Sequence, residues 1–150
     1  MPDENGKLFI TAVEPDLIAK HWDFFSYYLL QALPEYSSEH DGRSGNLLSA
    51  LMAQRAKLYT VHLEGKGIQS IFMLGRSTDP ITGDIYLVLI AMVSVVEMSQ
   101  EVLEKAQGFM VEETRRLGCR KLVTFSKLES VKRVAMALGA SSCYMLTLEV

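Results

Sequence analysis

Cysteine, proline, tryptophan and positive charge are all scarce in this chain: its 150 residues include two cysteines, four prolines and one tryptophan, and 15 Lys+Arg stand against 18 Asp+Glu for a formal net charge of -3. Two cysteines, Cys119 and Cys143, cannot build a disulfide framework, so a stapled secreted scaffold is excluded. An acidic balance provides no field to hold a polyanion, and no run of basic residues supplies a local one, which argues against nucleic acid or an anionic membrane as partner. No charged lead followed by an apolar stretch opens the sequence at Met1-Pro2-Asp3-Glu4, so an unsecreted, reduced, cytoplasmic protein is expected. The longest apolar run, residues 85–96 broken only by Ser94, falls short of the roughly 20 residues that cross a bilayer, and no membrane span is predicted. His21, His40 and His62 share no ligand spacing with one another or with the cysteines, and no metal site is expected. Cys119, between Gly118 and Arg120, reads as a buried inert thiol.

What remains is 49% hydrophobic and 22% charged, enough for one domain over residues 1–150 with a sizeable core. Residues 7–13 are rich in strand formers and stop at Pro15, which suits the first turn of a helix, with Asp16 favouring its positive end. That helix is predicted to run to Leu33, and a second, shorter one to cover residues 45–56. Strands at 57–63 and 68–74 flank Glu64-Gly65-Lys66-Gly67, a hairpin turn. The stretch 84–93, nearly all apolar, is predicted as the central strand, covered on both faces. Ser99 caps a helix to Leu117 that ends at Gly118. A strand at 120–125 leads to the capping box Ser126…Glu129, a helix to Leu138 and a last strand at 143–150. There is no internal repeat.

The order β-α-α-β-β-β-α-β-α-β, with Val123-Thr124-Phe125-Ser126…Ser130-Val131-Lys132-Arg133-Val134…Leu138-Gly139-Ala140 as its most specific piece, resembles the GNAT N-acyltransferase superfamily. The resemblance implies an α/β (α+β) fold with a mixed, twisted central sheet flanked by helices, and an acyl-CoA cleft beside the C-terminal segment. It also implies three chemical marks, each of which is missing. The diphosphate loop needs glycines so that backbone N–H groups can approach the phosphates, but Val93-Ser94-Val95-Val96-Glu97-Met98-Ser99 has none. Glu97 and Glu101 put negative charge there instead, at a cost on the order of a kcal/mol or more. A general base on the central strand is lacking, since residues 85–93 hold no acid. The tyrosine expected in the last helix falls on Ala135, and the asparagine near its start on Leu128, with Ser130 as a near substitute; Tyr144 is the nearest hydroxyl.

Two expectations follow. Small GNAT-like proteins of this length with eroded cofactor loops occur in tailed phages, including as virion components, and the chain resembles them. That implies a structural or interaction component of a larger assembly, binding no cofactor and meeting a protein partner or a second copy through the first helix. Along residues 15–33, apolar and aromatic positions counted at 100° per residue cover about two-thirds of the circumference, more than one sheet face requires, and Trp22, Leu30 and Leu33 are the candidate interface residues. The alternative is an acetyl-CoA-dependent N-acetyltransferase with an atypical cofactor site, gripping the pantetheine arm with strand backbone at Met92, Val93 and Val95 and with Ser130. A cleft that binds a small molecule without catalysis is a third class.

Overall fold

A computed structural model describes residues 6–32, 43–124, 129–142 and 148, with backbone alone at 43, 44 and 129–131. The elements are β1 (Leu8–Ala12), α1 (Pro15–Lys20), α2 (Trp22–Ala32), α3 (Arg43–Met52), β2 (Ala56–Leu63), β3 (Gly67–Thr78), β4 (Ile85–Ser94), α4 (Gln100–Arg116), β5 (Leu122–Thr124) and α5 (Glu129–Ala137). The strands form one sheet in the order β1-β2-β3-β4-β5. The first four are antiparallel to their neighbours. β4 and β5 run parallel, as the long connecting helix α4 requires. Leu33, the residues 35–42, Phe125, the Ser126 capping box, Leu128 and the predicted strand with Cys143 and Tyr144 lie outside the described residues.

Helices cover both faces of the sheet. On one face Tyr59, Val61, Leu63, Phe72, Leu74, Leu87 and Leu89 meet Val102, Ala106 and Met110 of α4. On the other, Leu58, Ile71, Met73 and Ala91 meet Ile18 of α1, Phe25 and Leu29 of α2 and Leu51 of α3. The strand buried on both faces is therefore β3, where Gln69 to Gly75 are all buried, while β4 alternates between buried and half-buried. This corrects the expectation that residues 84–93 would be the fully covered strand: β3 is the middle strand of the described sheet, and β4 stands one place nearer its edge. At the β2–β3 turn, Gly65 and Gly67 both take φ near +78°, which glycine adopts without steric cost. Ser99 caps α4, its hydroxyl accepting from the Val102 N–H at 3.2 Å.

The single helix predicted for residues 15–33 is two. His21 closes α1 by donating its N–H to the Leu17 carbonyl, and its own carbonyl opens α2 by accepting from Phe24 and Phe25. Neither proline nor glycine marks the break. α1 packs on α3 whereas α2 lies over β3 and β4, so the two segments answer to different partners. A 100° count carried across His21 therefore loses phase, and much of the apparent excess apolar arc comes from that. Ile18, Phe25 and Leu29 are buried; Trp22 and Tyr28 are half-buried against the second core cluster, and Leu30 is half-buried. The apolar side chains left exposed on α1 and α2 are Leu17, Phe24 and Tyr27. With its ring against the core, Trp22→Ala is expected to cost about 2–3 kcal/mol of folding stability in a urea titration, somewhat below a fully buried tryptophan.

Candidate functional site

The candidate site starts from one extra residue in β4. Along β3 and β4 the register passes from Leu74↔Leu89 to Met73↔Ala91, so Ile90 is a bulge. Its side chain lies over Gly75, where a Cβ would come within 2.8 Å of Ile90 Cδ1. A bulge bends its strand and increases local twist. On the other side of β4, Leu87↔Leu122, Val88↔Val123 and Leu89↔Thr124 form the described part of the parallel ladder to β5. Beyond the bulge β4 pairs with β3 as far as Ser94.

Of the residues singled out for a cofactor, Met92 and Val93 lie on β4 just past the bulge, opposite Phe72 and Ile71 of β3. The Val93 carbonyl also accepts from the buried Ser70 hydroxyl at 3.0 Å. Val95 follows the strand, and its N–H is used: it donates to the Gln69 carbonyl at 2.9 Å, as Val96 N–H does at 3.3 Å. Ser130 lies in the first turn of α5, which packs on α4. Ala135, the position of the expected tyrosine, is half-buried on α5. Trp22 and Leu30 lie on α2, over this part of the sheet.

At the start of α4 the diphosphate seat is filled by other interactions. Two of the preceding amides go to Gln69, Ser99 occupies the cap, and Glu101 pairs with Lys105 at 3.0 Å. Gln69 is itself the extra residue where β2 and β3 shift register. Nothing in its sequence context signals this anchoring role, because a bulge is set by pairing.

A second polar cluster, also unforeseen, lies on the α4 face. Tyr59 of β2 is stacked on Phe72 at 4.9 Å between ring centroids and donates its hydroxyl to Glu113 Oε2 at 2.8 Å. Glu113 also accepts from Arg116, at 3.1 Å from Nη2. The Glu113–Arg116 pair is readable as i, i+3 on a helix, but its partner on β2 is 54 residues away in sequence. The Arg116 hydrogen bond, helped by Tyr59 and opposed by burial, holds the Glu113 carboxyl below its usual range. Burial, then the Glu113 carboxylate, push the Tyr59 hydroxyl well above its own.

The signs of these shifts set opposite limits. A depressed carboxyl stabilises the fold above its ordinary pKa, and that contribution is lost as pH falls through the lowered value. A raised phenol stabilises below its ordinary pKa near 10 and is lost as pH climbs beyond it. Urea midpoints are expected to fall on the acid side through Glu113 and above about pH 10 through Tyr59, and Tyr59→Phe should remove the alkaline limb and lessen the acid one, since the Tyr59 hydroxyl is one of the donors that lower the Glu113 carboxyl.

No protein-family model matches the sequence, and no curated protein does. Solved structures do. A predicted acetyltransferase with acetyl-CoA from Clostridium acetobutylicum superposes with a TM-score of 0.70 at 12% identity, over 95% of this chain and 96% of that one. A GNAT family acetyltransferase from Staphylococcus aureus gives 0.65 at 14% identity, over 95% and 98%. This chain has the GNAT fold. A ribosomal-protein-alanine N-acetyltransferase from Brucella melitensis shares the GNAT layout as well, with a TM-score of 0.67 at 13% identity over 96% of this chain and 99% of that one. Within the GNAT frame, the Ile90 bulge of β4 marks the candidate site. Among the described residues no three His, Cys, Asp or Glu side chains converge to hold a metal, and no helix is long and apolar enough to cross a membrane.

Proposed function

We propose that the chain is an acetyl-CoA-dependent N-acetyltransferase with an atypical cofactor site. The observation that carries this reading is the Ile90 bulge, which bends β4 within a fold shared with solved acetyltransferases. The main chain at Met92 and Val93, just past that bend, suits the amides of a pantetheine arm, which strand backbone can bind as it would another strand. Ser130, in the first turn of α5, is the side chain nearest in sequence to the family's polar partner. The diphosphate end fits poorly: the Val95 and Val96 amides are taken by Gln69, and Glu97 and Glu101 carry the wrong charge. Bound acetyl-CoA would supply a thioester carbonyl for attack by an amine. The chain's own residues hold and orient the arm. No acid stands on β4 to take a proton from the amine, so the acceptor reacts as its free base.

A structural role remains the second reading, favoured by the missing glycines and base. The solved structures named above are acetyltransferases, and that weighs toward the enzyme. A site built from backbone also leaves no mark in sequence, which removes much of the force of those absences.

Thermal denaturation with acetyl-CoA decides between them. A ligand at a hundredfold its Kd adds about 2.7 kcal/mol, so a clear rise in midpoint at millimolar acetyl-CoA is expected. No rise, and no heat on calorimetric titration, overturns the proposal. Glu97→Gly with Glu101→Gln should tighten binding by removing repulsion at the diphosphate end.

A further inference from the structure

At the other end of the α4 face, the sheet rows run past the helix that covers them. Lys57, Tyr59 and Val61 share one face of β2, and Arg76, Leu74 and Phe72 the same face of β3. Beyond Leu117, just past α4, these rows end in a cavity of about 210 Å³ open to solvent. Its floor is Ala56, Leu74, Leu87, Leu117 and the ring of Tyr59, and its rim carries Arg55, Lys57 and Arg76. No acidic residue lines it. Among the described residues the ion pairs are Lys105–Glu101, Arg115–Glu112, Arg116–Glu113 and Arg120–Asp84, so none of the three rim cations has a described carboxylate at ion-pair distance, although Lys57 stands near enough to Glu113 to help lower its carboxyl. In a chain of net charge -3, three cations around one apolar hollow with a single carboxylate nearby leave a positive rim that favours an anion.

The corner that delivers Arg55 is built. Gln54 takes φ 57°, a left-handed conformation that glycine normally fills at a helix end, while Arg55 N–H closes α3 on the Ala50 carbonyl at 2.9 Å. A side-chain amide is thus kept at the cavity wall at a position where glycine would relieve strain.

We propose that this cavity binds a small phosphate monoester, its phosphate held by Arg55, Lys57 and Arg76 and its body on the apolar floor. Two guanidinium forks and an ammonium suit a dianion with three equivalent oxygens better than a single carboxylate. The volume lies below the roughly 300 Å³ at which drug-sized pockets begin, which limits the body to about one ring. The site is separate from the β4 bulge and the start of α4, for it adjoins the C-terminal end of α4, about 25 Å along that helix from Ser99. Its ligand therefore need not be a substrate of the proposed transfer.

Phenyl phosphate is the probe, titrated calorimetrically into the full chain against inorganic phosphate and against sodium chloride of equal ionic strength. Saturable binding is expected for phenyl phosphate and weaker binding for inorganic phosphate. Arg76→Gln and Lys57→Gln, both at exposed positions, should each weaken phenyl phosphate at least tenfold while leaving any response to acetyl-CoA intact. Lys105→Gln, the same loss of one positive charge elsewhere on the surface, should leave phenyl phosphate binding unchanged. No saturable binding beyond chloride, or equal binding by wild type and both rim variants, overturns the proposal. Neither result bears on acetyl-CoA, so this site and the proposed activity fail separately.

Discussion

Deletion of Ile90 is expected to leave a folded protein that no longer responds to acetyl-CoA. Ile90 is the surplus residue between Leu74↔Leu89 and Met73↔Ala91, so removing it makes the ladder regular. Every later side chain keeps its face, whereas a deletion elsewhere in β4 would turn Ala91 to Ser94 over. The cost is the half-buried Ile90 side chain itself, about 1–3 kcal/mol. A straight β4 should lose the local bend that sets Met92 and Val93 off from a regular strand, and with it the backbone grip proposed for the pantetheine arm. Circular dichroism and a urea midpoint report the fold, and the acetyl-CoA thermal shift reports the site. A deletion variant that still gains stability from acetyl-CoA would mean that the cofactor binds elsewhere, and the proposed site would be wrong.

The second large effect is at Tyr59. Its ring is 2% exposed, stacked on Phe72 and edge-on to Phe109, so Tyr59→Ala is expected to cost about 3–5 kcal/mol for the lost ring and the space it leaves. Tyr59→Phe keeps the ring and takes away only the donor to Glu113, a hydrogen bond to a charged group worth about 1.5–3 kcal/mol. Arg116 still serves the carboxylate in that variant, which favours the lower end. If Tyr59→Phe proves as damaging as Tyr59→Ala, the hydroxyl and not the packing secures this face. If it is neutral, water has replaced the hydroxyl at Glu113.

Much of the fold was legible because its signals are local. Ser99 caps α4 and Gly118 ends it, Gly65 and Gly67 turn the hairpin, and alternation or 3.6-residue periodicity marks most of the elements near the limits observed. The parallel pairing of β4 with β5 followed from the length of the helix between them. The break at His21 was not legible: no residue there disfavours a helix, and the bend comes from α1 and α2 packing on different elements. The apolar content of residues 85–94 suggested a fully covered strand, but apolarity does not reveal which strand takes the middle of the sheet.

The sequence by itself determined the class of the fold, the limits of α4 and of the hairpin, and the lack of glycines and acids at the places where a GNAT enzyme uses them. Tertiary structure alone decided where the strands bulge, since the extra residues Ile90 and Gln69 are properties of register between stretches of chain far apart. It alone brought Tyr59 to Glu113 and set Arg55, Lys57 and Arg76 around one hollow. Main-chain groups carry no side-chain signature, and cations spaced by 2 and 19 residues form a patch only when antiparallel pairing folds β3 back along β2.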